Sequence, residues 1–153
     1  MYQGRYIMQK LTLPNGYKPF DGEEYMNKMQ LEYFRQKLDK WRNELLQESR
    51  NTIDSLMEDK WNEPDLTDRA NIESEANIEL KTRDRYRKLI EKIEHAIMRI
   101  NKGDYGYCEE TGEEIGIKRL EARPVATLCI DAQMRHESYE KNHIDEYEDN
   151  GAM

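Results

Sequence analysis

The chain has 153 residues, 37% of them hydrophobic and 37% charged, with a formal net charge of −8. That balance favours an elongated shape with much surface over a thick globular core, and it argues against a general duplex-DNA binder, which gains affinity by neutralising phosphates. Two cysteines make no disulfide framework, no apolar run nears the roughly 18 residues of a membrane span, and the start, Met1-Tyr2-Gln3-Gly4-Arg5, lacks the apolar stretch of a signal peptide, so a cytoplasmic protein is expected.

Residues 1–25 carry Pro14, Asn15-Gly16 and Pro19 and show weak periodicity. They read as a lead-in with a short helix near 6–11, packing on the rest through Tyr6, Ile7, Leu11, Leu13, Tyr17 and Phe20.

Residues 26–101 organise the rest. Leu31, Phe34, Leu38, Trp41, Leu45, Glu48, Thr52 and Leu56 step by three and four, the spacing of a narrow apolar seam. Ile72, Ala76, Glu79, Arg83, Tyr86, Ile90, Ile93, Ile97 and Ile100 repeat the pattern. Both seams are polar near the middle of the segment and aliphatic near its ends, as in a helical hairpin joined at its base. Asn27-Lys28-Met29-Gln30 predicts a capping box, and Asn101-Lys102-Gly103 a stop. Pro64 interrupts the helix at the turn. Arms of about 30 residues give a rod of about 45 Å at 1.5 Å per residue. No other segment is long enough to cover its outer half, so it is built to reach into something.

The turn is acidic, with seven acids against two bases over residues 58–75. These are capping acids of a solvated loop, with Asp65 or Thr67 as N-cap, or else Asp65 and Asp68 address a cation or a basic site in a partner. Beyond the turn the sign reverses: Arg85, Lys88 and Lys92 share a face at i, i+3 and i+7. That face is either solvated and balanced by acids of the first arm, or a site for phosphate or an acidic patch.

Residues 103–132 are turn-rich and laid out like a small zinc knuckle: a C-x-x-C turn, a short strand or loop, and a second C-x-x-C opening a helix. Each pair keeps only its first thiol, because Thr111 and Ala132 replace the second of each pair after Cys108 and Cys129. A structural zinc takes four N or S ligands. Two thiols supply half, and His136 and His143 lack knuckle spacing, so zinc is not expected. Instead Tyr105, Tyr107, Ile115, Ile117, Leu120, Leu128 and Ile130 are expected to form a metal-free core. A helix over 129–144 and a disordered acidic tail over 147–153 close the chain.

These residues carry a resemblance. Gly22-Glu23-Glu24-Tyr25-Met26-Asn27, Trp41-Arg42-Asn43, Asp65-x-x-Asp68-Arg69-Ala70, Arg83-Asp84-Arg85-x-Arg87-Lys88-Leu89-Ile90, Gly106-Tyr107-Cys108-Glu109 and Glu114-Ile115-Gly116-Ile117 resemble the DksA/TraR family of bacterial transcription factors. So do Arg119-Leu120-Glu121-Ala122-Arg123-Pro124 and Leu128-Cys129-Ile130-Asp131, whereas the first twenty residues show no evident match.

The resemblance implies a mainly α protein: a long coiled-coil hairpin (26–101), a zinc-finger-like base with a C-terminal helix (102–146), and the lead-in. It implies a non-enzymatic, monomeric regulator that enters the secondary channel of bacterial RNA polymerase, brings its tip near the active site, destabilises open complexes and acts with ppGpp. The family's tip residues fall on Asp65, Asp68 and Ala70, and its ppGpp contacts on Leu89, Lys92 and Arg123. A further family lysine is Gln133 here, and the knuckle resembles the zinc-independent variants. The competing reading is a coiled-coil adaptor for a different protein. A metal-dependent enzyme using the tip acids would have too few ligands and no pocket.

Overall fold

The computed structural model describes residues 11–61 and 66–150, and within them the side chains other than those of residues 56, 58–70 and 145–150. Four helices follow in order: α1 (Lys28–Trp61), α2 (Leu66–Lys102), α3 (Ile117–Ala122) and α4 (Ile130–Asn150). α1 and α2 have 34 and 37 residues and pack as a hairpin, each about 50 Å long at 1.5 Å per residue.

The first helix starts at a reciprocal cap. The Asn27 side chain accepts from the Gln30 N–H at 2.9 Å, while the Gln30 side chain accepts from the Met26 N–H at 2.8 Å. This is the predicted box with one change: Gln30 reaches the residue before the cap. Gln30 is fully buried and also donates to Glu23, which accepts from the Tyr17 hydroxyl at 2.7 Å. That chain of bonds ties the lead-in to α1. The short helix expected near 6–11 falls on residues 1–10, outside the described residues, and on Leu11, which is not helical. α2 ends at Gly103 (φ 85°), the left-handed stop the sequence predicts.

The core lies at the base. Phe34, Leu38 and Leu45 of α1 and Ile93, Ala96 and Ile100 of α2 join Tyr105, Cys108, Ile115, Ile117, Leu120, Val125, Ala126, Cys129 and Ala132 in one buried cluster. Further out no described hydrophobic residue is fully buried, and the seam shifts from its predicted course. Arg83 is exposed and the neighbouring Thr82 is half-buried, whereas Glu48, also exposed, still meets the Tyr86 hydroxyl across the hairpin. The Thr82 hydroxyl is satisfied on the Ile78 carbonyl of its own helix at 3.0 Å, so it takes the half-buried position at lower cost than a charged side chain.

Two further expectations are corrected. Ile130, assigned to the mini-core, is 51% exposed, because the chain turns into α4 there and buries Cys129 and Ala132 instead. Val125 and Ala126 take up the apolar space. The C-terminal helix continues past 144 to Asn150, covering much of the stretch expected to be a disordered tail; no Pro or Gly interrupts it before Gly151.

Candidate functional site

The base is held by polar pins. The Tyr25 hydroxyl donates to the Gly106 carbonyl at 2.6 Å and accepts from the Gly116 N–H at 3.0 Å, fastening the entry to α1 onto both sides of the knuckle. Gly106 (φ 90°) has no room for a side chain, since an added Cβ would lie 2.7 Å from Met26. Arg99, only 7% exposed, donates to the carbonyls of Asp104 and Tyr107 at 3.0 and 2.6 Å. The Tyr105 hydroxyl donates to Pro124 at 2.7 Å, and its ring lies 5.6 Å from that of Phe34.

Within this frame the four knuckle positions come together. The Cys108 N–H donates to Glu113 and its carbonyl accepts from Gly112, closing the turn at 2.8 and 2.9 Å. The Thr111 hydroxyl lies 3.8 Å from the Cys129 sulfur and also meets that of Cys108. Burial pushes the Cys108 thiol up, but the Thr111 hydroxyl and the backbone N–H groups of Cys129, Thr111 and Glu110 outweigh it and bring its pKa to about 6. The Ala132 methyl is fully buried.

Two sulfurs, a hydroxyl and a methyl do not fit a tetrahedral zinc, and no group of three or more His, Cys, Asp or Glu among the described residues could hold a metal ion. His136 is engaged elsewhere: it meets Glu110 at 2.8 Å and so ties α4 to the knuckle turn. Hydrogen bonds through Thr111 join the two halves of the knuckle where the four-thiol form would use a metal.

Beside the knuckle an open cleft of about 440 Å³ lies between α2, α3 and the start of α4. Lys92, Arg123 and Gln133 line it together, although they are distant in sequence. Neither Lys92 nor Arg123 makes an ion pair with a described residue. Gln133 is neutral, and its amide donates to Glu137 at 2.9 Å. Leu89 sits one turn along α2, half-buried against the core, and does not line the cleft.

Lys88, His95, Arg119 and Thr127 also line it. Lys88 pairs with Asp84 at 3.2 Å, and the acid on the rim, Glu91, pairs with Arg87 at 2.8 Å. Arg119 is fixed by a bond to the Leu128 carbonyl at 3.0 Å. The sequence already held one signal for the added residues: Lys88, Lys92 and His95 stand at i, i+4 and i+7 on one helix face. Arg119 could not be placed in this way, because α3 was expected to be strand or loop. Arg85, on the predicted basic face, does not line the cleft. Asp65 lies outside the described residues; Asp68 and Ala70 fall in the first turns of α2, and their side chains lie outside the description.

Residues 30–100 match the family described as DnaK suppressor protein DksA, N-terminal domain, and residues 103–138 match the prokaryotic dksA/traR C4-type zinc finger. The chain is 54% identical over 136 residues to the RNA polymerase-binding transcription factor DksA of Caulobacter vibrioides, covering 89% of this chain and 96% of that protein. It is 50% identical over 125 residues to the protein of the same name from Escherichia coli K12, covering 82% and 83%. The solved structure of transcription factor DksA2 from Pseudomonas aeruginosa superposes with a TM-score of 0.72 at 38% identity, over 76% of this chain and 90% of that one. No described helix is long and apolar enough to cross a membrane. With its hairpin, its knuckle and most of its length so matched, the chain belongs to the DksA/TraR family of transcription factors, which are not enzymes.

Proposed function

We propose that this protein regulates transcription initiation by binding bacterial RNA polymerase. The hairpin enters the secondary channel, the tip residues Asp65, Asp68 and Ala70 approach the active site, and ppGpp binds in the α2–α3–α4 cleft against Lys92 and Arg123. The names of the relatives support the partner. The observation that carries the ligand is the cleft itself: a helix lysine and a loop arginine, without ion-pair partners among the described residues, converge on a space open enough for a polyphosphate. Leu89 shapes the α2 face beside it. A carboxylate at the end of a rod perturbs a metal-centred or basic site only if the rod is held firmly at its other end. The buried base, with its Tyr25 and Arg99 pins, is suited to that.

The test is the lifetime of open complexes formed by purified RNA polymerase at a ribosomal promoter, with and without ppGpp and with a zinc chelator present throughout. A lifetime shortened by the protein, and shortened further by ppGpp, is expected. Asp68→Asn should bind polymerase and lose the effect. Absence of both binding and effect would overturn the proposal in favour of an adaptor for another protein.

A further inference from the structure

The knuckle holds one combination that neither the hairpin nor the cleft uses: two buried thiols that meet. Cys108 and Cys129 are 3% and 7% exposed, and the Cys129 N–H donates to the Cys108 sulfur. The Thr111 hydroxyl meets both sulfurs, that of Cys129 at 3.8 Å. Backbone bonds hold the arrangement: the Glu109 N–H donates to the Thr127 carbonyl at 2.9 Å, which lays the first half of the knuckle beside the second just ahead of Cys129. We infer that Cys108 and Cys129 form a two-coordinate dithiolate site for a soft monovalent metal ion, Cu(I).

The surroundings decide the class of ion. Thiolates are soft ligands that suit Cu(I) and zinc alike. Zinc in a structural site takes four ligands, and the other two knuckle positions offer only a hydroxyl and a methyl. The Ala132 methyl is fully buried, so that side of the thiols admits no water to complete a shell of four. The nearby histidines are turned to other partners, His136 to Glu110 at 2.8 Å and His95 to Glu109 at 3.9 Å. Among the described residues no third His, Cys, Asp or Glu joins the two thiols. Cu(I) has a filled d shell, and two thiolates on opposite sides satisfy it, so a site limited to two sulfurs favours Cu(I) over zinc.

Binding forms two Cu–S bonds and releases the two thiol protons; copper stays Cu(I) throughout, so no electron moves. The product carries one net negative charge in a buried place and needs hydrogen-bond donors around it. They are present: the N–H groups of Cys129, Thr111 and Glu110 and the Thr111 hydroxyl all serve the Cys108 sulfur. Cys129 stands directly before α4, at the positive end of its dipole. The ion has a way in, because residues 109–114, the turn that follows Cys108, are all exposed. Bound copper joins the two halves of the knuckle through sulfur, in addition to the Thr111 hydrogen bonds.

The experiment titrates the full-length protein with Cu(I), kept reduced by ascorbate under nitrogen and presented as its coloured bicinchoninate complex. Loss of that colour reads transfer of copper to the protein. One equivalent per chain should transfer, and X-ray absorption at the copper edge should show two sulfur neighbours and no nitrogen. Cys108→Ser and Cys129→Ser should each abolish transfer. Thr111→Val, which removes a donor but no ligand, should keep one equivalent and weaken binding roughly tenfold, the lower end of the cost of losing an outer partner of a metal ligand. Transfer retained when both cysteines are replaced by serine would place the copper on methionine or histidine side chains and overturn the proposal. Three or four neighbours at the metal, or chains paired by copper, would do the same. So would the absence of transfer to the unaltered protein, a result that does not depend on whether any variant folds.

Discussion

The base and the outer half of the hairpin are made from the same two helices, yet they are stabilised differently. At the base, Phe34, Leu38, Ile93, Ala96 and Ile100 are almost inaccessible to water, and α3 and the knuckle cover the flank that a two-helix rod would leave open. Farther out, Thr52, Ile53, Ile72, Ala76 and Glu79 are only half-buried, Met57, Ile78 and Leu80 are exposed, and one Glu79 carboxylate oxygen is buried without a described partner. Pairs within one turn, such as Arg87 with Asp84 and Glu91, do part of the work there. The lesson is a division of labour: one end of the rod is fixed by burial, and the other is held by a polar, partly hydrated seam.

That contrast can be broken most sharply by core truncation. Phe34→Ala should cost about 3–5 kcal/mol, the range for a fully buried aromatic. Ile72→Ala, on a half-buried distal position, should cost less than about 1.5 kcal/mol. Urea unfolding followed by helical circular dichroism gives both values. Equal costs would mean that the outer seam is as well packed as the base.

The knuckle offers the next largest effect. Chelators should leave the melting temperature of the natural chain unchanged, since its four positions do not fit zinc. Thr111→Cys combined with Ala132→Cys completes a four-thiol set. That variant should bind zinc and become more stable by about 2.7 kcal/mol when free zinc exceeds its Kd a hundredfold. A zinc-indifferent double variant would show that the Thr111 hydrogen bonds have drawn the knuckle into a geometry unsuited to the metal.

A smaller change isolates one pin. Tyr25→Phe removes the hydroxyl shared by Gly106 and Gly116; the Gly106 carbonyl keeps the Ile115 N–H at 2.8 Å, and the Gly116 N–H is left wanting a partner. The expected cost is about 1–3 kcal/mol, with faster amide exchange at Gly116. Unchanged exchange there would mean that the knuckle stands without this contact.

The hairpin was legible because the three-and-four step of Leu31, Phe34, Leu38, Trp41 and Leu45 is local information. The shift from Arg83 to Thr82 was not, because it depends on how two helices share a thin interface. Lys92 was legible as one of three cations on a helix face, whereas Arg123 could be nominated only through the family resemblance. That they face one cleft with His95 and Arg119 depends on α3, whose six residues are too few for periodicity to declare a helix. The replacement of metal by hydrogen bonds was half legible: the missing thiols are plain in the sequence, whereas the position of Thr111 against both sulfurs arises only when the turn closes.

The smallest predicted effect tests whether charge contributes to the base at all. Lys37 on α1 pairs with Glu121 on α3 at 2.5 Å and also donates to the Glu121 carbonyl at 3.1 Å. Burial raises the Glu121 carboxyl, but the Lys37 ammonium and the Tyr33 hydroxyl outweigh it and hold it below the ordinary range. A carboxyl depressed in the folded state contributes stability above its unfolded pKa of about 4.3, and that contribution is lost as pH falls through the folded value. Both side chains are about one-third exposed (36% and 34%), so screening leaves only about 0.3–1 kcal/mol. Lys37→Met should therefore be less stable by that amount at pH 7, and the gap should close as pH drops below about 4. A gap that persists in acid would trace instead to the Lys37 stem packed near the Tyr33 ring, with its Nζ 5.9 Å from the ring centre, and would make this contact one of packing like the rest of the base.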